Sequence, residues 1–249
     1  MNYKNFPDEY WSTIASTIAD LKNKKRPLIA AFDADGTLWD TDLGENFFQH
    51  QIDNKQVALP RDPWAHYIEL KKINDNPRNA YAWLAQINTG QKLTDVQDWA
   101  QRAFDKITPQ PIFSEQKKLI EILLKNGVQV YIVTASIKWA VEPGAKALGL
   151  SSDCVIGVET LVVNGIITEE TRHPITYRQG KVAALMEKTG NLRPFLCAGN
   201  SIGDYELLLC ATNIQLAVSA ASRDDKLFKS EYELFTKAET HNWWKHRFI

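Results

Sequence analysis

The stretch AFDADGTLWDTD, residues 31–42, constrains the fold of this chain more than any other part of the sequence. The apolar run LIAAF leads directly into Asp33 and Asp35, and Gly36 follows. An apolar run of this length that stops at a glycine is typical of a buried parallel strand ending in a tight loop. Ligands of open α/β sheets bind at that edge, so both carboxylates are expected there. A loop in which each Asp accepts local backbone hydrogen bonds would also explain the motif taken alone.

Strand and helix patterns alternate in the rest of the chain. A helical pattern at residues 8–22 precedes the acidic strand, and Asn164-Gly165 between β-branched residues is a strong hairpin signal. This alternation predicts an α/β fold with a doubly wound, Rossmann-like parallel sheet. The elements predicted after residue 112 are a helix at 114–126, a strand at 128–136, a helix at 138–148, a strand at 154–158, the hairpin at 160–168, a helix at 181–190, a strand at 194–200, a helix at 205–211 and a strand at 214–218.

The segment between the acidic strand and residue 112 has a different character. It lacks strand patterns and contains helical patches rich in aromatic residues, such as ENFFQHQI, WAHYIELKKI and AYAWLAQI. This predicts a separate helical insert after the acidic strand. We therefore expect an α/β core formed by residues 1–42 and 112–249 and a helical insert formed by residues 43–111.

Composition excludes several partners. The 249 residues carry 29 basic and 30 acidic side chains, a net charge of −1, with no electrostatic footprint for nucleic acid or an anionic membrane. No stretch approaches the roughly 18 continuous apolar residues of a membrane span. The first residues, MNYKNFPDEYW, lack the apolar centre of a secretory signal. We expect a cytoplasmic protein that binds neither nucleic acid nor a membrane, and the sequence leaves its oligomeric state open.

Three further groups of polar residues follow predicted strands or begin a helix. Thr134 and Ser136 follow the strand VYIV, Lys181 begins a helix, and Asn200 and Asp204 lie four residues apart after FLC. A cation at a helix N-terminus favours a phosphate group. Each group alone is also what an ordinary turn or solvated helix start contains. Their common placement at one edge of a parallel sheet indicates instead a site shared with the two acids.

Together these motifs resemble the haloacid dehalogenase superfamily of aspartate-dependent phosphatases. The resemblance rests on DADGT, VTAS, Lys181 and GNSIGD in that order, and it covers nearly the whole chain. The helical insert between the first two motifs resembles that of the phosphoserine-phosphatase-like branch. This resemblance implies that residues 43–111 form a helical cap inserted after the first catalytic strand of the phosphatase core. Within that branch, DTDLGE, VYIVTAS and VIGVETLVVNG resemble bacterial phosphorylcholine phosphatases.

The resemblance implies a Mg²⁺-dependent phosphomonoesterase that hydrolyses a small phosphorylated metabolite. Asp33 is implied as the nucleophile that forms an aspartyl phosphate, and Asp35 as the acid and base for the leaving group and for water. Lys181, Thr134 and Ser136 are implied as phosphate-binding residues. A phosphate dianion repels an anionic nucleophile unless cations neutralise it, which explains the lysine and the metal.

The implied magnesium ligands include one departure from the family pattern. They are Asp33, the main-chain carbonyl of Asp35 and the loop that contains Asn200 and Asp204. Many relatives carry Asp where this chain has Asn200. An amide oxygen can bind Mg²⁺ but has no charge, so weaker affinity is expected unless Asp204 reaches the metal directly.

Residues just after the first motif suggest a substrate. Asp42 and Glu45 share one face if a helix has begun, and Trp39 adds aromatic surface nearby. Carboxylates neutralise a cationic head group and aromatic rings bind it through their faces. We therefore expect an amine-bearing phosphomonoester, with these three residues binding it, although a buried tryptophan and helix-capping acids would fit the same pattern.

Other functions share the scaffold. A hydrolytic dehalogenase would need the nucleophile but not a second acid, so Asp35 disfavours it. A phosphotransferase shares the first half-reaction and stays open. A catalytically silent phosphate-binding module is the alternative from a different class.

Overall fold

Six parallel strands form the central sheet of the computed structural model. The structure describes residues 3–249, so the first two residues of the predicted core lie outside the described residues. The strands of the sheet are β1 (Ile29–Phe32), β2 (Gln129–Ile137), β3 (Val155–Val158), β6 (Leu196–Gly199), β7 (Ile214–Ser219) and β8 (Trp244–Arg247), and a separate antiparallel hairpin consists of β4 (Thr160–Val163) and β5 (Ile166–Thr171). Their order in the sheet is β3-β2-β1-β6-β7-β8, and every neighbouring pair is parallel. The predicted doubly wound parallel sheet is therefore confirmed.

Strand β1 lies in the middle of the sheet and is buried on both faces. Ala30 and Phe32 pack into one hydrophobic cluster, whereas Ala31 packs into another on the opposite face. Successive side chains of a strand alternate between faces, so a continuous apolar run is what a strand covered on both sides requires. The sequence LIAAF therefore places the residues that follow it at the carboxyl edge of the sheet.

Helices cover both faces of the sheet and also form the insert. Between β1 and β2 the described chain has five α-helices, of which the first four lie within the predicted cap. The ten α-helices of residues 3–249 are α1 (Asp8–Asn23), α2 (Leu43–Asn54), α3 (Pro63–Lys72), α4 (Arg78–Gln86), α5 (Leu93–Asp105), α6 (Ser114–Lys125), α7 (Lys138–Ala147), α8 (Gln179–Thr189), α9 (Tyr205–Cys210) and α10 (Phe228–Thr240), and short 3₁₀ helices span Ile73–Asp75, Ser152–Cys154 and Ile202–Asp204.

The β4–β5 hairpin joins the inserted helices. Its turn residues Asn164 and Gly165 have φ values of 51° and 79°, as a tight hairpin turn with two left-handed residues requires. Backbone hydrogen bonds connect it to the α4–α5 loop, from Gly90 N to Ile167 O, and to the first residue of α5, from Leu93 N to Gly165 O, each at 2.9 Å. The sequence indicated the hairpin but not this attachment, which extends the helical layer with a two-stranded sheet.

No helix within residues 3–249 combines the length and the apolar character required to cross a bilayer.

Candidate active site

The loop after β1 presents the two acids at the carboxyl edge of the sheet. The Asp33 amide donates to Ala198 O of the neighbouring strand at 2.9 Å, so the strand pairing continues to this residue. Gly36 has φ +76°, and a Cβ there would lie 2.1 Å from Asn200 Nδ2. Only glycine permits both this backbone conformation and the close approach of the Asn200 loop. The glycine therefore brings the two loops into contact.

The two oxygens of Asp33 have different partners. Oδ1 accepts from Lys181 Nζ at 2.5 Å, whereas Oδ2 accepts from Thr37 Oγ1 at 2.9 Å. Burial and the negative charge of Asp204 raise the pKa of Asp33 to about 6, although the adjacent ammonium acts in the opposite direction. The carboxylate is thus desolvated and held by a cation on one side only.

Lys181 lies between two carboxylates in the interior. Its Nζ is 2.5 Å from Asp33 Oδ1 and 2.6 Å from Asp204 Oδ1, and the residue is 2% exposed. Burial acts to lower the pKa of Lys181, but the charges of Asp204 and Asp33 outweigh it and raise the pKa above its ordinary value. The ammonium is therefore permanently charged at the edge of the sheet, near the start of α8.

Both carboxylate oxygens of Asp204 accept hydrogen bonds. Its Oδ2 accepts from the backbone amides of Asn200 and Ser201 and from Ser201 Oγ, at 3.0 to 3.2 Å, and its Oδ1 accepts from Lys181. The bond from the Ser201 amide is one half of a capping box over the 3₁₀ helix that ends at Asp204, and in the other half the Asp204 amide donates to the Ser201 side chain. Asp204 therefore shapes the loop and holds Lys181, while its oxygens are already engaged.

The Asn200 amide has its oxygen turned toward Asp33. Thr37 Oγ1 lies 3.2 Å from Asn200 Oδ1 and 2.9 Å from Asp33 Oδ2. Since a hydroxyl has one hydrogen, it satisfies one of these two oxygens at a time. Two buried oxygens thus converge on one side of the loop with lone pairs left over, and a hard cation such as Mg²⁺ prefers such ligands.

Asp35 has a separate environment from Asp33. Its Oδ1 accepts from Trp39 Nε1 at 2.7 Å and from Leu43 N at 2.9 Å, and its Oδ2 accepts from Ser136 Oγ at 2.6 Å. Burial raises the pKa of Asp35 to about 6, although all three donors favour the charged form. A carboxyl with a pKa near neutrality can both give and take a proton at physiological pH.

Thr134 and Ser136 lie in the last residues of β2, where its register with β3 shifts. Both line the cavity that contains Asp33 and Asp35. Thr134 is 1% exposed, and its Oγ1 accepts from the Ser136 amide at 3.0 Å. The Ser136 hydroxyl donates to Asp35, so in this arrangement it positions the second acid.

A cavity of about 580 Å³ contains every predicted site residue except Trp39. It extends from Asp33 to Asp42 and is lined by the aromatic side chains of Tyr67, Tyr81 and Tyr177. A more open cleft of about 1070 Å³ beside α4 and the start of α8 includes none of the predicted site residues. Because it holds the converging acids, the smaller cavity is the candidate active site.

Asp42 and Glu45 both reach this cavity but differ in charge pairing. The Asp42 side chain caps α2 by accepting from Glu45 N at 2.7 Å, and burial together with the charges of Asp35 and Glu45 raises its pKa to about 8. Glu45 Oε1 is 3.0 Å from Lys71 Nζ and Oε2 is 3.2 Å from Lys226 Nζ. These lysines lower the pKa of Glu45, although burial acts to raise it, so its charge is already neutralised within the protein.

The position of Trp39 corrects the prediction that it binds substrate. The residue is 0% exposed, and its ring packs so closely on α7 that a Cβ at Gly144 would lie 2.7 Å from it. A fully buried ring cannot contact a ligand in the cavity. Its indole N–H instead orients Asp35.

Several residues of the site were not predicted from the sequence. These are Thr37, the cavity residues Tyr67, Lys71, Tyr81, Tyr177 and Lys226, and the carboxylate of Glu231 behind Asn200. Thr37 stands in the DADGT motif and could have been found there. The others lie far from the motifs in sequence, and no local pattern marks them.

Comparison with known proteins identifies the class of this chain. The family model of the haloacid dehalogenase-like hydrolases matches residues 30–209. The chain therefore belongs to this family, and the predicted superfamily and the predicted hydrolase class are confirmed.

Three individual proteins illustrate what this chain is similar to. Phosphorylcholine phosphatase of Pseudomonas aeruginosa is 23% identical in an alignment that covers 72% of this chain and 70% of that protein. A Bordetella pertussis Tohama I protein of unknown function has a TM-score of 0.72 at 16% identity, covering 90% of this chain and 100% of that one. A phosphoserine phosphatase solved as a phospho-aspartyl intermediate analogue has a TM-score of 0.54 at 13% identity, covering 90% and 94%. The solved structures share the fold, and the named enzymes are phosphatases.

Proposed function

We propose that this protein is a Mg²⁺-dependent phosphomonoesterase that hydrolyses a small phosphorylated metabolite through an aspartyl-phosphate intermediate. The observation that carries the proposal is the difference in contacts between two buried acids on one loop. Asp33 contacts the Lys181 ammonium, whereas Asp35 accepts hydrogen bonds from neutral donors only. Burial raises the pKa of both carboxyls to about 6, so their partners and not their pKa values distinguish them. The acid beside the cation is suited to attack a phosphate, and the acid away from it is suited to exchange a proton with the leaving group.

The proposed reaction has two steps. An Asp33 oxygen attacks phosphorus and forms a new P–O bond, while the bond to the leaving-group oxygen breaks and Asp35 gives that oxygen its proton. Asp35, now a carboxylate, removes a proton from water, which attacks phosphorus and releases Asp33. The proton and the carboxylate are both restored, so the enzyme turns over unchanged.

Lys181 and Thr134 are proposed to hold the phosphoryl group. The Lys181 ammonium is fixed beside Asp33 by Asp204, so it neutralises charge at the attacked phosphorus without reorganisation. Thr134 is buried in the same cavity with its oxygen accepting from a backbone amide, which leaves the hydroxyl hydrogen free to donate to a phosphoryl oxygen. Ser136 is assigned to Asp35 rather than to the phosphate because of its 2.6 Å hydrogen bond.

The residues present fit a magnesium ion. Asp33 Oδ2 and Asn200 Oδ1 converge on the Thr37 hydroxyl, and we propose both as ligands together with the main-chain carbonyl of Asp35. When bound, the ion would neutralise negative charge shared by Asp33 and the phosphoryl group. Asp204 contributes by shaping the loop and holding Lys181.

Phosphate release tests the proposal directly. With p-nitrophenyl phosphate and Mg²⁺ we expect turnover, and with excess chelator we expect a loss of at least about 10²-fold that added Mg²⁺ reverses. No turnover in Mg²⁺ would make the chain a silent phosphate-binding module. Repeating the assay with alcohols as acceptors separates hydrolysis from phosphotransfer, since a transferase would form new esters in place of inorganic phosphate.

Residues 43–111 are proposed to act as a cap over this cavity. The four inserted helices share a hydrophobic cluster that includes Phe47, Tyr67, Leu84 and Val96. Glu45 of α2 pairs with Lys226 of the core, so an ion pair joins the two parts at the rim of the cavity. We propose that the cap selects the leaving group.

The part of the cavity at the start of α2 supports an amine-bearing substrate. Asp42 lies there, and burial together with the charges of Asp35 and Glu45 raises its pKa, although the charge of Lys71 acts in the opposite direction. The rings of Tyr67 and Tyr81 line the same space, and Lys71 Nζ lies 4.2 Å from the Tyr67 centroid, so this ring already binds an ammonium group. A substrate ammonium beside Asp42 would supply the missing partner.

Replacing Asp42 by Asn tests this substrate class. Asn also caps helices well, so the variant removes the carboxyl that can become anionic beside a substrate ammonium while keeping the bond to Glu45 N. We expect kcat/KM for phosphocholine and phosphoethanolamine to fall by about 10-fold, with little change for sugar phosphates. Glu45→Gln serves as the matched comparison and should have the smaller effect, because Glu45 is already paired. A wild-type preference for sugar phosphates, or an equal loss on all substrates, would contradict the amine pocket.

A further inference from the structure

Glu231 is a buried carboxylate directly behind the Asn200 loop. It lies on α10, beyond the residues matched by the family, and it is 2% exposed. Its Oε1 accepts from Asn200 Nδ2 at 2.9 Å, and its Oε2 accepts from Ser219 Oγ at 2.6 Å and from Ala221 N at 3.0 Å. Both oxygens therefore have donors, as a buried carboxylate requires.

These bonds determine which way the Asn200 amide points. A carboxylate only accepts hydrogen bonds, so the NH₂ end of the amide must face Glu231. The oxygen end consequently faces Thr37 and the side of the loop that carries Asp33. Without Glu231 the amide could rotate and present hydrogens, which repel a cation, to the same place.

We propose that Glu231 is a positioning residue for the magnesium site. Glu231 orients the Asn200 oxygen toward the ion. Its negative charge also polarises the amide through a charge-assisted hydrogen bond, which makes that oxygen a stronger ligand. This inference rests on the proposed function, in which Asn200 is a metal ligand.

The contact also explains why an amide and not a carboxylate fits at position 200. An Asp there would place two carboxylates at the 2.9 Å spacing that a hydrogen bond now spans. Like charges at that spacing destabilise the metal-free protein unless one takes up a proton. Exchanging the groups, with Asp at 200 and Gln at 231, keeps one charge and reverses the direction of the hydrogen bond.

The test measures Mg²⁺ binding by isothermal titration calorimetry and metal-free Tm for five proteins: the wild type, Glu231→Gln, Asn200→Asp, the double variant and Glu233→Gln. Glu233 is exposed on the same helix and serves as the matched control. We expect Glu231→Gln to weaken Mg²⁺ binding by about 10-fold or more and Glu233→Gln to leave it unchanged. We expect Asn200→Asp to lower the metal-free Tm by about 3 °C or more, and the double variant to recover both Tm and Mg²⁺ affinity.

Several outcomes would overturn the proposal. They are an unchanged Mg²⁺ Kd in Glu231→Gln, an Asn200→Asp protein as stable as the wild type without metal, and a double variant no better than its parents. If Glu231→Gln alone fails to fold, the double variant decides, since only a direct pairing of the two positions lets it fold and bind. A wild type that binds no Mg²⁺ would overturn the proposed function as well, whereas binding that ignores Glu231 would overturn the positioning role alone.

Discussion

Replacing Asp33 by Asn is expected to lower kcat for hydrolysis of p-nitrophenyl phosphate by at least about 10³-fold, because an amide is a poor nucleophile. The change is nearly isosteric, and the hydroxyl of Thr37 and the amide of Asp33 keep their partners. Lys181 loses one of its two anionic neighbours but retains Asp204. The loss should therefore appear in turnover while the protein stays folded, as judged by its Tm.

A control outside the cavity makes this result specific. Asp53→Asn is the same chemical change at an exposed residue of α2 that does not line the cavity, and an Asn there can still accept from Gln49, so its activity should stay close to that of the wild type. Acid-quenched wild-type enzyme should carry one phosphoryl group on the peptide that contains Asp33, detected by mass spectrometry, and Asp33→Asn should carry none. Activity of Asp33→Asn above a few per cent of the wild type would rule out the covalent mechanism.

The parallel sheet could be predicted because its inner strands are apolar on both faces. Ala30, Ala31 and Phe32 belong to clusters on opposite sides of the sheet, and such burial leaves a continuous hydrophobic run in the sequence. Strand β8, whose sequence is WKHR, carries no such run because it forms the edge of the sheet. Neither β8 nor the preceding α10 was predicted, and α10 carries Glu231.

In the candidate site, likewise, the sequence predicts some features and leaves others unpredicted. Asp33, Lys181 and Asn200 follow strands or begin a helix, so topology alone brings them to one edge and the sequence could predict their meeting. Charge pairing depends on residues that the fold brings from elsewhere. Glu45 is neutralised by Lys71 and Lys226, and no pattern within one segment reports such contacts between distant segments. The predicted substrate role of Glu45 is weakened for this reason, whereas that of Asp42 remains a proposal.

Asp35→Asn is expected to lower steady-state turnover by about 10²-fold or more, the range of a lost general acid and base. The variant keeps an oxygen that can accept from Trp39 or Ser136, so the loop has a means of holding its shape. What it loses is the group that exchanges a proton at neutral pH. Because Asp33, Lys181 and Asn200 are unchanged, the covalent step itself should still be possible.

Substrates with different leaving groups distinguish the two proposed roles of Asp35, the general acid of the first step and the general base of the second. p-Nitrophenolate departs without a proton, so the first step should survive in Asp35→Asn and release a burst of nitrophenolate equal to the enzyme present. The second step needs a base to activate water, so phosphoenzyme should accumulate and be detectable after acid quenching. An alkyl phosphate needs the acid in the first step and should give neither burst nor accumulation. A steady-state rate within about threefold of the wild type would remove Asp35 from the mechanism. A variant that is slow but accumulates no phosphoenzyme when it hydrolyses p-nitrophenyl phosphate would show that Asp35 is not the base of the second step.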